Sequence, residues 1–71
     1  MEKYHKVLKN EEFSKNSTIA TLYTLFNACT KKVEYEINLG YISKNLGSFY
    51  NEQKIYKNRK TALKYIEKNL F

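Results

Sequence analysis

The chain has no proline, no tryptophan and no aspartate, and it holds single copies of cysteine, histidine and arginine. Each shortage removes a class of protein. One cysteine forms no internal disulfide, and without a Cys/His cluster there is no zinc-ligand pattern. With no aspartate and one histidine a Ser–His–Asp triad is excluded, and a Cys29–His5 pair would have no aspartate to orient it. The two glycines, Gly40 and Gly47, form no phosphate-binding loop. No run approaches the roughly 18 apolar residues of a membrane helix, and no signal-peptide pattern opens the sequence. The expectation is a binder rather than an enzyme, with no metal or cofactor, no membrane contact and a reducing cytoplasmic setting.

At 71 residues the sequence reads as one domain over 1–71, near the lower limit for folding on a hydrophobic core alone. Seven tyrosines and four phenylalanines supply much of that core and leave polar handles for a rim or an interface. Lys, Asn, Tyr and Ile make up nearly half of the residues. Their codons are A/T-rich, which suits a phage, virus, plasmid or low-GC bacterial source.

The formal net charge is +6, and residues 54–71 hold most of it, with only Glu67 among their basic groups. Read as a helix, Lys54, Lys57, Lys60, Lys64 and Lys68 fall within about 120° of one another. Ile55, Ala62, Leu63, Ile66 and Leu70 fall opposite, with Tyr56 and Tyr65 on the flanks. A lysine stripe is commonly no more than a solvated face. Here the like charges stand almost unanswered, which costs an isolated helix a few tenths of a kcal/mol per pair. The row is therefore a candidate contact for an anionic partner. Arg59 points instead toward the apolar face, where it is expected to reach Glu34, Glu36 or the chain terminus. An anchor in a protein interface is the alternative for Arg59.

Asn16 or Ser17 reads as an N-cap, and Thr18–Thr30 as an uncharged helix. Its residues Ile19, Leu22, Tyr23, Phe26 and Cys29 follow helical spacing. With no charge on any side, residues 17–30 are expected to form the central core helix, with Cys29 buried on it and His5 exposed. Val33–Leu39 alternates apolar and polar residues as a half-buried strand does. Its expected partner is Tyr4–Leu8, itself readable as a strand or a helix start, or else the same strand of a second copy. Leu39, Ile42 and Leu46 share one face of a short helix that Gly47 would end in the left-handed cap conformation. Ser48–Asn51 then reads as a turn, and Glu52–Asn69 as a long basic helix. The expected fold class is mainly α, three helices with a short strand or hairpin.

Ile42-Ser43, Leu46-Gly47 and the basic helix after the turn give residues 39–60 an order that resembles helix-turn-helix domains of the winged-helix type. The resemblance implies that the helix after the turn lies in the DNA major groove. Asn51, Gln53, Lys54, Lys57 and Asn58 would then meet base edges and phosphates, with Lys60, Lys64 and Lys68 extending the nucleic-acid-binding surface. Arginine is the commonest reader of guanine, and its near-absence suits phosphate contact more than sequence reading. The expected function is a small basic nucleic-acid-binding regulatory protein, for DNA before RNA, working as a homodimer through strand 33–39. The competing class is a phage-type inhibitor whose lysines occupy an anionic or nucleic-acid-binding groove of a host protein.

Overall fold

The computed structural model describes residues 5–71. It corrects the expected fold class: the chain is mainly antiparallel β with one helix, and no three-helix arrangement forms. Strands β1 (His5–Lys15), β2 (Thr18–Asn27), β3 (Lys32–Ser43) and β4 (Gly47–Tyr56) lie side by side in chain order, each antiparallel to the next. Helix α1 (Arg59–Leu70) then packs across one face of this meander.

The segment expected as the central helix, residues 17–30, is central, but its Thr18–Asn27 form strand β2 and its ends lie in turns. Its Thr, Ile, Tyr and Phe residues are β-branched or aromatic, which suits a pleated strand and lowers helix propensity. Ala20 and Leu22 are buried beneath α1, while Ile19, Thr21 and Leu25 are buried on the opposite face. A strand covered on both faces loses its period-2 signature, so its apolar residues also satisfy helical spacing. Asn16 sits in the β1–β2 turn at φ +56° rather than capping a helix. Cys29, expected in the core, is exposed in the β2–β3 turn. There the Asn27 side chain accepts from the amides of Cys29 and Thr30 at 2.9 and 3.3 Å, satisfying backbone that the strands leave over.

Val33–Leu39 is a strand, as its alternation indicates, but an interior one. It pairs with β2 on one side and β4 on the other. That removes both the expected Tyr4–Leu8 pairing, of which Tyr4 lies outside the described residues, and the seam proposed for a dimer through 33–39. The short helix expected at 39–46 is the far half of β3 and its turn. Gly47, at φ +91°, serves that turn and not a helix end. Ser48–Asn51 and Glu52–Tyr56 belong to β4, so the basic helix begins at Arg59 rather than Glu52. With two of its helices absent, the helix-turn-helix arrangement over 39–60 does not exist in this fold.

The core joins Ala20 and Leu22 of β2, Ile37 and Leu39 of β3, and Ala62, Ile66 and Leu70 of α1. Phe13, Tyr35, Tyr56, Leu63 and Tyr65 close its margins. Leu22 and Ile37 stand opposite each other in the β2–β3 ladder and are wholly inaccessible. Burying each such side chain stabilises the fold by about 1.5–3 kcal/mol.

Two irregularities bend the edge strands, one at Leu8 between Val7 and Lys9, the other where Asn51 bulges opposite the Leu39–Gly40 step. At the second, β4 approaches so closely that a Cβ on Gly40 would lie 1.7 Å from the Phe49 carbonyl oxygen. The approach brings Tyr50 to the face away from α1, where its hydroxyl accepts from Thr21 Oγ1 at 3.1 Å. On the helix side Tyr41 and Phe49 stack with centroids 5.4 Å apart.

Candidate nucleic-acid interface

Three of the expected lysines form a row. Ala62, Ile66 and Leu70 fix the buried stripe of α1, and Lys60, Lys64 and Lys68 fall on the opposite, exposed side. Four residues per step at 1.5 Å each place the three ammonium groups on one line about 12 Å long. The helix starts where it does because Asn58 caps it, its side-chain oxygen accepting from the Lys60 amide at 2.8 Å. The side-chain oxygen of Asn58 is thereby engaged in the helix cap.

The other candidates are scattered by the strand they occupy. Lys54 lies on β4, opposite Ile37 and so on the helix side of the sheet. Gln53 faces the other way and donates to Glu36 Oε1 at 2.7 Å, with Asn38 donating to Oε2 at 3.3 Å. These two amides satisfy a carboxylate that is only 7% exposed. Asn51 sits at the β4 bulge. Lys57, in the bend before α1, lines a cleft of about 420 Å³ with Thr30, Lys32, Val33 and Glu34. It stands apart from the helix row.

Strand parity sorts the remaining charges. Lys6, Lys9 and Lys15 of β1 pair with Phe26, Thr24 and Thr18, which places them on the helix side with Lys54, Arg59 and the α1 lysines. Among the described residues, only Glu11, Glu52 and Glu67 oppose them there. The far face holds Glu12, Glu34 and Glu36 against Lys32, with Lys57 beside Glu34. The sheet thus sets a strongly basic side against one with a slight acidic excess. The sequence does not disclose the β1 lysines as a set, because Tyr4–Leu8 reads equally as a strand or a helix start and parity has no meaning until a strand is identified.

Arg59 does turn inward, but its partner is Glu11 of β1, not Glu34 or Glu36. The guanidinium donates to both carboxylate oxygens, at 2.7 and 3.0 Å, and this fork ties the start of α1 across the sheet to the opposite edge. The Arg59 hydrogen bonds hold the Glu11 carboxyl below its ordinary value, with Lys9 adding to them against burial. Glu34 is lowered as well, chiefly by a 2.8 Å hydrogen bond from His5, which is half-buried rather than exposed. Burial raises the Tyr65 hydroxyl, helped by the neighbouring Glu52 carboxylate.

Both carboxylate shifts are downward, so the stability they confer is complete above the ordinary value of 4.5 and is lost as pH falls through the lowered folded values. The melting temperature is expected to hold from neutral pH down to about 5 and then to fall. Glu11→Gln should flatten part of that acid-side decline. Parallel melting curves for variant and parent in acid would show that the Arg59–Glu11 tie is not linked to folding.

Among the described residues, no group of three or more His, Cys, Asp or Glu side chains could hold a metal ion. No helix among them is long and apolar enough to cross a membrane. No protein-family model matches the chain, and no curated protein or solved structure matches it either.

Proposed function

We propose that this chain is a small basic nucleic-acid-binding regulatory protein, for DNA before RNA, and that it meets the nucleic acid with the helix side of its sheet. The observation that carries the reading is the separation of charge. Lysines from α1, β1 and β4 gather on the side that bears the helix, while the acidic excess is held on the opposite face. A solvated surface has no need of such sorting, whereas a polyanion rewards it, because each phosphate neutralised releases condensed counterions.

Lysine is a strongly hydrated point charge with no fork to match a base edge. The row Lys60, Lys64, Lys68 therefore acts on the phosphate backbone, and binding of this kind is largely indifferent to sequence. Regulation then comes from occupancy of the backbone rather than from a helix reading the major groove.

The test is a fluorescence-anisotropy titration of a labelled duplex at several salt concentrations. If the three α1 lysines each neutralise one phosphate, log K should fall against log salt with a slope near −2.7. Lys60→Glu with Lys64→Glu should abolish binding while circular dichroism stays unchanged, since both side chains are exposed. Submicromolar binding that ignores salt, or that survives the reversal, would sink the reading. Failure to bind the duplex at any salt concentration would sink it too, and would point instead to a protein groove as the target.

A further inference from the structure

The meander leaves two edges, and they are unlike. β1 carries five charged side chains, Lys6, Lys9, Glu11, Glu12 and Lys15, and a bulge near its start. Charged residues along an edge are the usual guard against pairing with another chain. β4 has only Glu52 and Lys54, and it exposes Phe49, Tyr50 and Ile55. We propose that β4 is a self-association edge: it pairs antiparallel with β4 of a second copy about a two-fold axis at Gln53, giving one eight-stranded sheet with both helices on the same side.

The charges choose the register. The bulge at Asn51 confines regular pairing to Glu52–Tyr56. In a continuous antiparallel sheet, residues directly opposite one another point to the same face, so the axis must pass through a residue position. Centred on Glu52 the seam sets carboxylate on carboxylate, and centred on Lys54 it sets ammonium on ammonium. Centred on Ile55 it is equally short, pairing only Lys54–Tyr56, and it sets Lys54 against Tyr56 with no opposite charge to answer it. Centred on Gln53 it places Glu52 of each copy opposite Lys54 of the other, twice, on the helix side. A two-fold interface has to be self-complementary, and this register is.

The seam is short, and two chains of net charge +6 repel each other at long range. Association is therefore weak, with the small buried area of a transient contact. It does not depend on nucleic-acid binding, although it would lay two lysine rows on one side of a common sheet.

Sedimentation equilibrium in physiological salt tests it, on a Cys29→Ser background so that the exposed thiol cannot form a covalent pair. The mass is expected to rise from one chain toward two between micromolar and near-millimolar concentration. Glu52→Lys or Lys54→Glu alone turns both opposed pairs repulsive, and should raise the dissociation constant roughly tenfold or more. The double variant Glu52→Lys/Lys54→Glu exchanges the partners and should restore the parent value. A parent that stays monomeric throughout overturns the proposal. So does a dimer that tolerates the single reversals, or one that the double variant fails to restore, because both results place the seam elsewhere.

Discussion

Gly40→Ala is expected to leave most of the chain unfolded at room temperature. The new methyl carbon would sit 1.7 Å from the Phe49 carbonyl oxygen and 2.6 Å from both the Phe49 carbonyl carbon and Tyr50 Cα. All three are backbone atoms of the next strand, so no side-chain rotation relieves the clash. β4 would have to withdraw, giving up the Thr21–Tyr50 hydrogen bond and disturbing the Tyr41–Phe49 stack. Ordinary overpacking costs about 1–3 kcal/mol, and displacement of a strand exceeds that. A chain of this size has a total stability of roughly 4–11 kcal/mol from which to absorb the loss. Gly47→Ala is the control. It meets nothing within 4 Å but retains φ +91°, so it should cost only the backbone strain of about 1–2 kcal/mol. Thermal melts by circular dichroism compare the two directly. Equal, small losses would mean that the β3–β4 approach opens easily and that Gly40 is not required by it.

Leu22→Ala should be comparably damaging for a different reason. Leu22 has no accessible surface and lies in the cluster that joins β2 and β3 to α1. Truncation removes its buried methyl groups and leaves a cavity between two layers, at a cost of about 2–5 kcal/mol. Ile66→Ala attacks the same cluster from the helix, where Ile66 is 2% exposed. Because the two sites share one cluster, their losses should not add. Urea unfolding of the two single variants and the double variant measures the coupling. Strict additivity would mean that α1 does not share its core with β2 in the way the burial pattern implies.

Much of this fold was hidden by the way its sequence satisfies two periods at once. Val33–Leu39 announced a strand because Glu34 and Glu36 break its apolar run at every second position. β2 made no such announcement, since Ile19, Ala20, Leu22 and Leu25 are buried on both faces and no charged residue marks an outer side. Turn signals were also faint. The hairpins close through Asn16-Ser17, Ala28–Lys31 and Lys44–Leu46, none of which holds the Asn-Gly or Asp-Gly pair that advertises a tight turn. The residues 59–70 were legible because Ala62, Ile66 and Leu70 recur at four-residue spacing, and Lys60, Lys64 and Lys68 were rightly placed opposite them. Carrying the same 100° step back to Lys54 and Lys57 applied helical geometry to a strand and a bend. It joined to the row two lysines that the chain holds elsewhere.

The partition of charge between the two sides of the sheet has a consequence for encounter as well as for contact. It gives the molecule a permanent electrostatic dipole whose positive end is the helix. In the field of any polyanion that dipole feels a torque, and the chain rotates to present α1 before the surfaces meet. Fewer collisions are then wasted on the wrong orientation, which raises the association rate more than it lengthens the complex's lifetime. Distance keeps the acidic end from cancelling the effect. Even the smallest extent of the chain is 17 Å, about twice the roughly 8 Å screening length of physiological salt. A phosphate resting on Lys64 would consequently lie beyond the screened reach of Glu34 and Glu36.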